Sequence, residues 1–342
     1  MNLYWLLLLV GIVSWGMTGL LRRYFINQSL IDIPNARSSH SKPTPRGGGV
    51  AVVITYSIGL IILWDMLLLD NLPFVGLLGA GLLVAAIGFI DDYGHVAVGW
   101  RLLAHFFAAV WISFFFEGLP PLPLMGIVFN MGWVGNLLLV FALVWLINLY
   151  NFMDGIDGIA GVEAIFLTVA MGIIFVFVFK HEEIAILHIL MSAAVVGFLI
   201  WNFPQAKIFM GDAGSGFVGL MLGALALYSA HIEPLMLWVW FILFGVFIVD
   251  ATYTLIRRLL RGDKIYQAHC SHAYQNAARK CTKHSPVTLV VLAINLLWLL
   301  PWSLAVAFEL VDGVVGILCS YIPLLWLAWY FHAGDLEKQE RS

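Results

Sequence analysis

Residues 131–158 read MGWVGNLLLVFALVWLINLYNFMDGIDG. The stretch begins as a membrane span: residues 131–150 carry no charge and match the roughly 20 apolar residues that a helix needs to cross a bilayer. It ends differently, with Asn148, Asn151, Asp154 and Asp157 recurring at every third position. At about 100° per residue, those four would fan over about 180° of an unbroken helix. They converge only where the helix ends, and Gly155 and Gly158 supply the break. A plain helix terminus leaves two carboxamides inside an apolar span unexplained, so the run reads as a functional site.

The rest of the chain agrees with a lipid setting. Of 342 residues, 62% are hydrophobic and 11% charged, against roughly 45–50% and about 25% for a soluble domain. A soluble globular enzyme is excluded. A net charge of −3 leaves no basic surplus for coating a nucleic acid. Eleven spans are predicted, at 3–21, 47–69, 72–90, 101–117, 131–150, 159–179, 184–203, 216–232, 234–256, 286–308 and 313–331. The expected fold is all-α and polytopic, a single transmembrane domain over 1–342. No small-residue cleavage site precedes Arg22 and Arg23, so the first span reads as retained. Cys270, Cys281 and Cys319 form no even disulfide framework.

Placing the amino terminus outside puts 16 of the 17 Lys and Arg residues on one face, with Lys180 alone on the other. The positive-inside rule makes that face cytoplasmic, and with an odd span count the carboxyl terminus lies there too. The long polar segments 22–46, 91–101, 151–158, 204–215 and 257–285 fall on the same face, where they are expected to form the active site.

Four further stretches carry chemistry. Asp91 and Asp92 follow the apolar run ending at Ile90; adjacent carboxylates call for a cation, a proton or an arginine, and Arg101 stands nearby. Asp212 lies in Gly211-Asp212-Ala213-Gly214-Ser215-Gly216, an oxygen ligand beside free N–H groups at a helix start, which suits magnesium holding a diphosphate. Arg37, Lys42 and Arg46, with the hydroxyls around them and Gly47-Gly48-Gly49, form an anion cradle. His269-Cys270-Ser271-His272 sits among Arg261, Lys264, Arg279 and Lys280. Without a Cys-x-x-Cys pair, that loop reads as anion-binding rather than zinc-binding.

Taken together, Thr44 to Gly49, the Asp91-Asp92 pair, the run Asn148 to Gly158, the Gly-Asp-x-Gly-Ser turn at Asp212 and the His269/His272 loop resemble the polyprenyl-phosphate N-acetylhexosamine-1-phosphate transferases, glycosyltransferase family 4. The loop 32–49 is most similar to the branch that initiates O-antigen, lipopolysaccharide and other cell-envelope polysaccharides. The resemblance implies an enzyme of the bacterial inner membrane in which undecaprenyl phosphate attacks a UDP-N-acetylhexosamine and UMP leaves. It implies magnesium, or manganese in its place, on Asp212 and Asn151. It implies catalytic roles for Asp91 and Asp92, ordering the lipid phosphate or acting as base, and for Asp154 and Asp157, supporting the metal shell and nucleotide. Arg37, His40, Thr44, Arg46, Arg101, Asn148, His269 and His272 would bind substrate. Monomer and homodimer both stay open.

Two rival classes fit the sequence less well. A transporter of lipid-linked or nucleotide sugars predicts polar residues lining a mid-membrane path, where this chain has only small hydroxyls such as Thr55, Ser57, Ser113, Thr168 and Ser192. An alcohol phosphotransferase requires Ala-Arg within its Asp-Gly motif, and that does not follow Asp154-Gly155.

Overall fold

The computed structural model describes residues 3–28, 30–34, 42–263 and 270–336. Arg37, His40 and His269 lie outside the described residues. Every predicted apolar segment is helical: α1 Leu3–Asn27, α2 Gly49–Asp65, α3 Asn71–Tyr93, α4 Val98–Phe115, α5 Gly132–Met153, α6 Ile159–Ile174, α7 Glu182–Asn202, α8 Asp212–Ile232, α9 Met236–Leu243, α10 Gly245–Arg261, α11 Ala273–Cys281, α12 His284–Ile294, α13 Leu300–Ala307 and α14 Gly313–Tyr330. A π-helical turn, Asn295–Leu299, makes α12 and α13 one continuous helix, and another, Phe175–Phe179, extends α6.

Two of the eleven predicted spans differ in form from the other nine. Among the described residues, nine helices are long and apolar enough to cross a bilayer, and α2 is a shorter apolar helix of 17 residues. The predicted span 234–256 is broken: α9 and α10 meet at 69°. The Tyr321 hydroxyl of α14 donates to Phe241 O at 2.6 Å, the carbonyl that residue 245 would use in an unbroken helix, so a side chain inserted into the ladder accompanies the break.

Two small antiparallel ribbons stand outside the all-α expectation. Ile31–Asp32 pairs with Thr44–Pro45, and Leu122–Leu124 pairs with Ile127–Phe129 in a hairpin between α4 and α5. The segment expected as a loop over 257–285 also contains helix, since α10 runs to Arg261 and α11 follows.

The bundle is organised around α8, 94% of whose apolar window is buried. Its glycines set how closely neighbours approach. A Cβ on Gly214 would overlap Gly49 of α2, and one on Gly49 would overlap Gly214, so the two backbones cross in direct contact. A Cβ on Gly88 of α3 would lie 2.6 Å from Ala213 N. These contacts bring the end of α3 and the start of α2 onto the first turn of α8. At the same end, Arg22 Nε donates to Lys207 O, Arg46 bridges to Phe209, and Gly334 N, just beyond α14, donates to Ser271 O.

Candidate active site

The site forms around the first turn of α8, whose initial N–H groups have no partner within their own helix. Asp92 supplies two acceptors: Oδ1 takes Asp212 N at 2.9 Å and Oδ2 takes Ala213 N at 3.1 Å. The preceding turn uses Gly211 at φ +78°, where a Cβ would lie 2.6 Å from Asp92 Oδ2. Glycine is thus required both for the left-handed backbone and for the space.

Arg101, at the start of α4, ties the carboxylates together. It is ion-paired with Asp91 and places Nη1 3.3 Å from Asp212 Oδ2. Asp91 also accepts Val96 N at 2.8 Å, closing the loop between α3 and α4. Across from them, α5 ends at Met153 and Asp154 caps it. Asn151 Oδ1 accepts the Ser215 hydroxyl at 3.0 Å, so α5 is joined to the first turn of α8.

Asp154 reports the electrostatics of this cluster. Burial of its carboxyl, then the nearby Asp212 carboxylate, raise its pKa from the usual 3.8 to about 8, against the opposing pull of Arg46. Arg46 bonds Asp32 Oδ2 at 2.6 Å. Burial works against its charge, but Asp32, Asp212 and Asp92 outweigh that and raise its pKa. The centre therefore holds Asp91, Asp92, Asp154 and Asp212 against Arg46 and Arg101, an excess of negative charge.

Other residues singled out in the sequence have partners of their own. Both oxygens of Asp157 are engaged, Oδ2 with Ala206 N at 3.1 Å and Oδ1 with His284 Nδ1 at 3.0 Å, and Thr288 Oγ1 donates to its carbonyl. Asn148 donates to Val144 O and lies 3.4 Å from the His105 ring. Thr44 is buried, with its hydroxyl on Lys42 O. His272 is 2% exposed, with Nδ1 3.3 Å from Asp250 Oδ1, and it forms a capping box with Gln275 at the start of α11.

Sequence reading missed Asp250 and Tyr274. Asp250 accepts Ala273 N and Tyr274 N, each at 2.9 Å, so α10 caps α11. Tyr274 then donates its hydroxyl to Phe152 O at 2.8 Å, directly before the Asp154 loop. A carboxylate inside the apolar run 234–256 was the available signal, because intramembrane charges are rarely idle.

Residues 74–230, which include Asp91, Asp92, Arg101, Asn151, Asp154 and Asp212, match the model of glycosyl transferase family 4. Over those residues the chain is similar to glycosyl transferase family 4. The chain is 26% identical to a Bacillus subtilis (strain 168) protein named "Probable undecaprenyl-phosphate N-acetylglucosaminyl 1-phosphate transferase", over 82% of this chain and 79% of that protein. It is 31% identical to the decaprenyl-phosphate N-acetylglucosaminephosphotransferase of Mycolicibacterium smegmatis (strain ATCC 700084 / mc(2)155), over 65% of this chain and 59% of that protein. It is 29% identical to the phospho-N-acetylmuramoyl-pentapeptide-transferase of Bacillus pumilus (strain SAFR-032), over 69% and 75%.

Proposed function

We propose that this chain transfers an N-acetylhexosamine-1-phosphate unit from a UDP-sugar to undecaprenyl phosphate. An oxygen of the lipid phosphate bonds to the sugar-linked phosphorus, the bond from that phosphorus to the bridging oxygen breaks, and UMP leaves with that oxygen. The observation that carries the reading is the cluster in which Arg101 joins Asp91 to Asp212 beside Asp154, at one end of an apolar bundle. Phosphoryl transfer depends mainly on positioning and charge stabilisation, and a cluster of this kind can provide both. The relatives named above, whose names carry a polyprenyl phosphate or a phospho-sugar transfer, support the same class.

The residues present fit a divalent cation. Among the described residues no three His, Cys, Asp or Glu side chains form a ready cage. Magnesium, however, is commonly held by one or two carboxylates with water and substrate phosphates completing its shell. Burial and the neighbouring Asp212 carboxylate raise the Asp154 pKa, and a cation here would offset both. Asp212 and Asn151 would hold magnesium, with manganese as a substitute, and the ion would supply charge neutralisation on the diphosphate. Arg46 and Arg101 bind and orient phosphate oxygens. Asp92 holds the start of α8, and Asp91 holds Arg101. A phosphate monoester, with a second pKa near about 6, is already largely ionised and needs no strong base.

The distribution of basic residues supports a cytoplasmic site in a bacterial inner membrane. The sequence of loop 32–49 supports a role in initiating O-antigen or related polysaccharides. Membranes containing the protein, supplied with magnesium, undecaprenyl phosphate and each of several UDP-N-acetylhexosamines, should release UMP with at least one sugar. Asp212→Ala should abolish release while the protein still inserts. No release with any UDP-sugar would overturn the transferase reading, and unchanged release by Asp212→Ala would overturn the metal assignment.

A further inference from the structure

A second carboxylate lies inside an apolar span, away from the site. Glu163, in the second turn of α6, is 0% exposed, as is Asn295, which opens the π-helical turn between α12 and α13. Asn295 Nδ2 donates to Glu163 Oε2 at 2.6 Å. The other two oxygens, Glu163 Oε1 and Asn295 Oδ1, are buried with no hydrogen-bond partner among the described residues. Nor does Glu163 have an ion-pair partner among them. A titratable neighbour, Tyr150, directs its hydroxyl to Ala160 O.

An ionised carboxylate here would leave a charged oxygen without a donor in an apolar interior, which is strongly disfavoured. A bound metal ion is a poor remedy, because two oxygens fall far short of the shell that magnesium or calcium requires. A proton is sufficient. A carboxylic acid offers O–H and C=O, and a carboxamide offers C=O and N–H, so the two groups are complementary. With a proton on Oε1, the two orphaned oxygens become a donor and an acceptor.

We propose that Glu163 is protonated and forms a closed, two-hydrogen-bond ring with Asn295, so that one proton fastens α6 to α12 inside the apolar layer. The same helices meet nearer the site, where Thr288 and His284 hold Asp157. Two fastenings along one helix pair fix the direction in which the loop 154–158 leaves α6. A π-turn widens the helix locally and presents Asn295 without interrupting the span. Glu163 and Asn295 are thus positioning residues for that loop, and the assignment of the ring itself does not depend on the reaction catalysed.

Infrared difference spectroscopy on the full chain in lipid nanodiscs at neutral pH tests the ring. Wild type minus Glu163→Gln should show loss of a carboxylic-acid carbonyl band. That band should move to higher frequency in Asn295→Leu, where the carbonyl loses its donor. Glu163→Gln can form the same two bonds and should keep the wild-type thermal midpoint, whereas Glu163→Leu should lower it. Loss of carboxylate bands instead of an acid band would overturn the proposal. So would an unmoved band in Asn295→Leu, or a midpoint for Glu163→Gln as low as that of Glu163→Leu.

Discussion

Asp92 caps the helix that begins with Asp212. Its two oxygens accept the first two N–H groups of α8, so the carboxylate is committed to backbone and favours the positive end of that helix. The partner residues are far apart in sequence, and the contact fixes where the Asp212 carboxylate starts. Asp92→Ala should therefore destabilise the protein by about 1–2 kcal/mol, the usual range for a lost cap. Chemical denaturation in detergent measures this. UMP release by Asp92→Asn should fall by less than the roughly 100-fold or more that loss of a general base produces. A larger loss at unchanged stability would return Asp92 to a base role.

Arg101 should not tolerate lysine. Its Nη1 alone meets both Asp91 and Asp212, and the ammonium of the shorter lysine side chain cannot reach both carboxylates. Loss of one charge-assisted hydrogen bond, about 1.5–3 kcal/mol, corresponds to a fall in kcat/KM of roughly 10- to 100-fold for Arg101→Lys. Steady-state kinetics with the preferred UDP-sugar provide the measurement.

Asp154 gives the site a pH signature. Its folded pKa, about 8, lies above the usual 3.8, so the metal-free fold retains a proton that the unfolded chain releases. The resulting contribution to stability is complete below about pH 4 and is lost as pH rises to about 8. Thermal melts of the metal-free protein should follow that direction, and Asp154→Asn should flatten it. A cation competes with the same proton, so the apparent magnesium affinity should rise with pH up to about 8 in the wild type and change less in Asp154→Asn.

Tyr274 should act on the reaction from a distance. Tyr274→Phe removes one hydrogen bond to Phe152 O, for an expected loss of about 1 kcal/mol of stability. Because that carbonyl immediately precedes the Asp154 loop, kcat should fall more than KM rises. Equal stability with unchanged kcat would separate α11 from the site.

Much of the fold was legible because apolar runs of membrane length have few alternatives to helix. The end of α5 was legible for the same kind of local reason: glycines at 155 and 158 sit where the polar run needs the helix to stop, and it stops at Met153. The bend between Leu243 and Gly245 was not, since 235–249 contains no proline or charge and the inserted hydroxyl comes from Tyr321. The same limit hid Asp250, whose partners lie in α11, and the engagement of Asp157 by His284. Spacing within a segment reveals what a residue can offer, whereas its actual partner is set by tertiary packing.

The crossing of Gly49 and Gly214 carries an evolutionary consequence. Every single-base change of a glycine codon that alters the residue adds at least a Cβ, and at either position that atom would overlap the opposing backbone. The Met210 side chain beside both glycines can change rotamer, but the overlap with the opposing backbone would remain. The lineage of this protein can therefore drift at its loops and lipid-facing surfaces while this joint stays frozen, and the anchor of α8 beside the site is inherited as a unit.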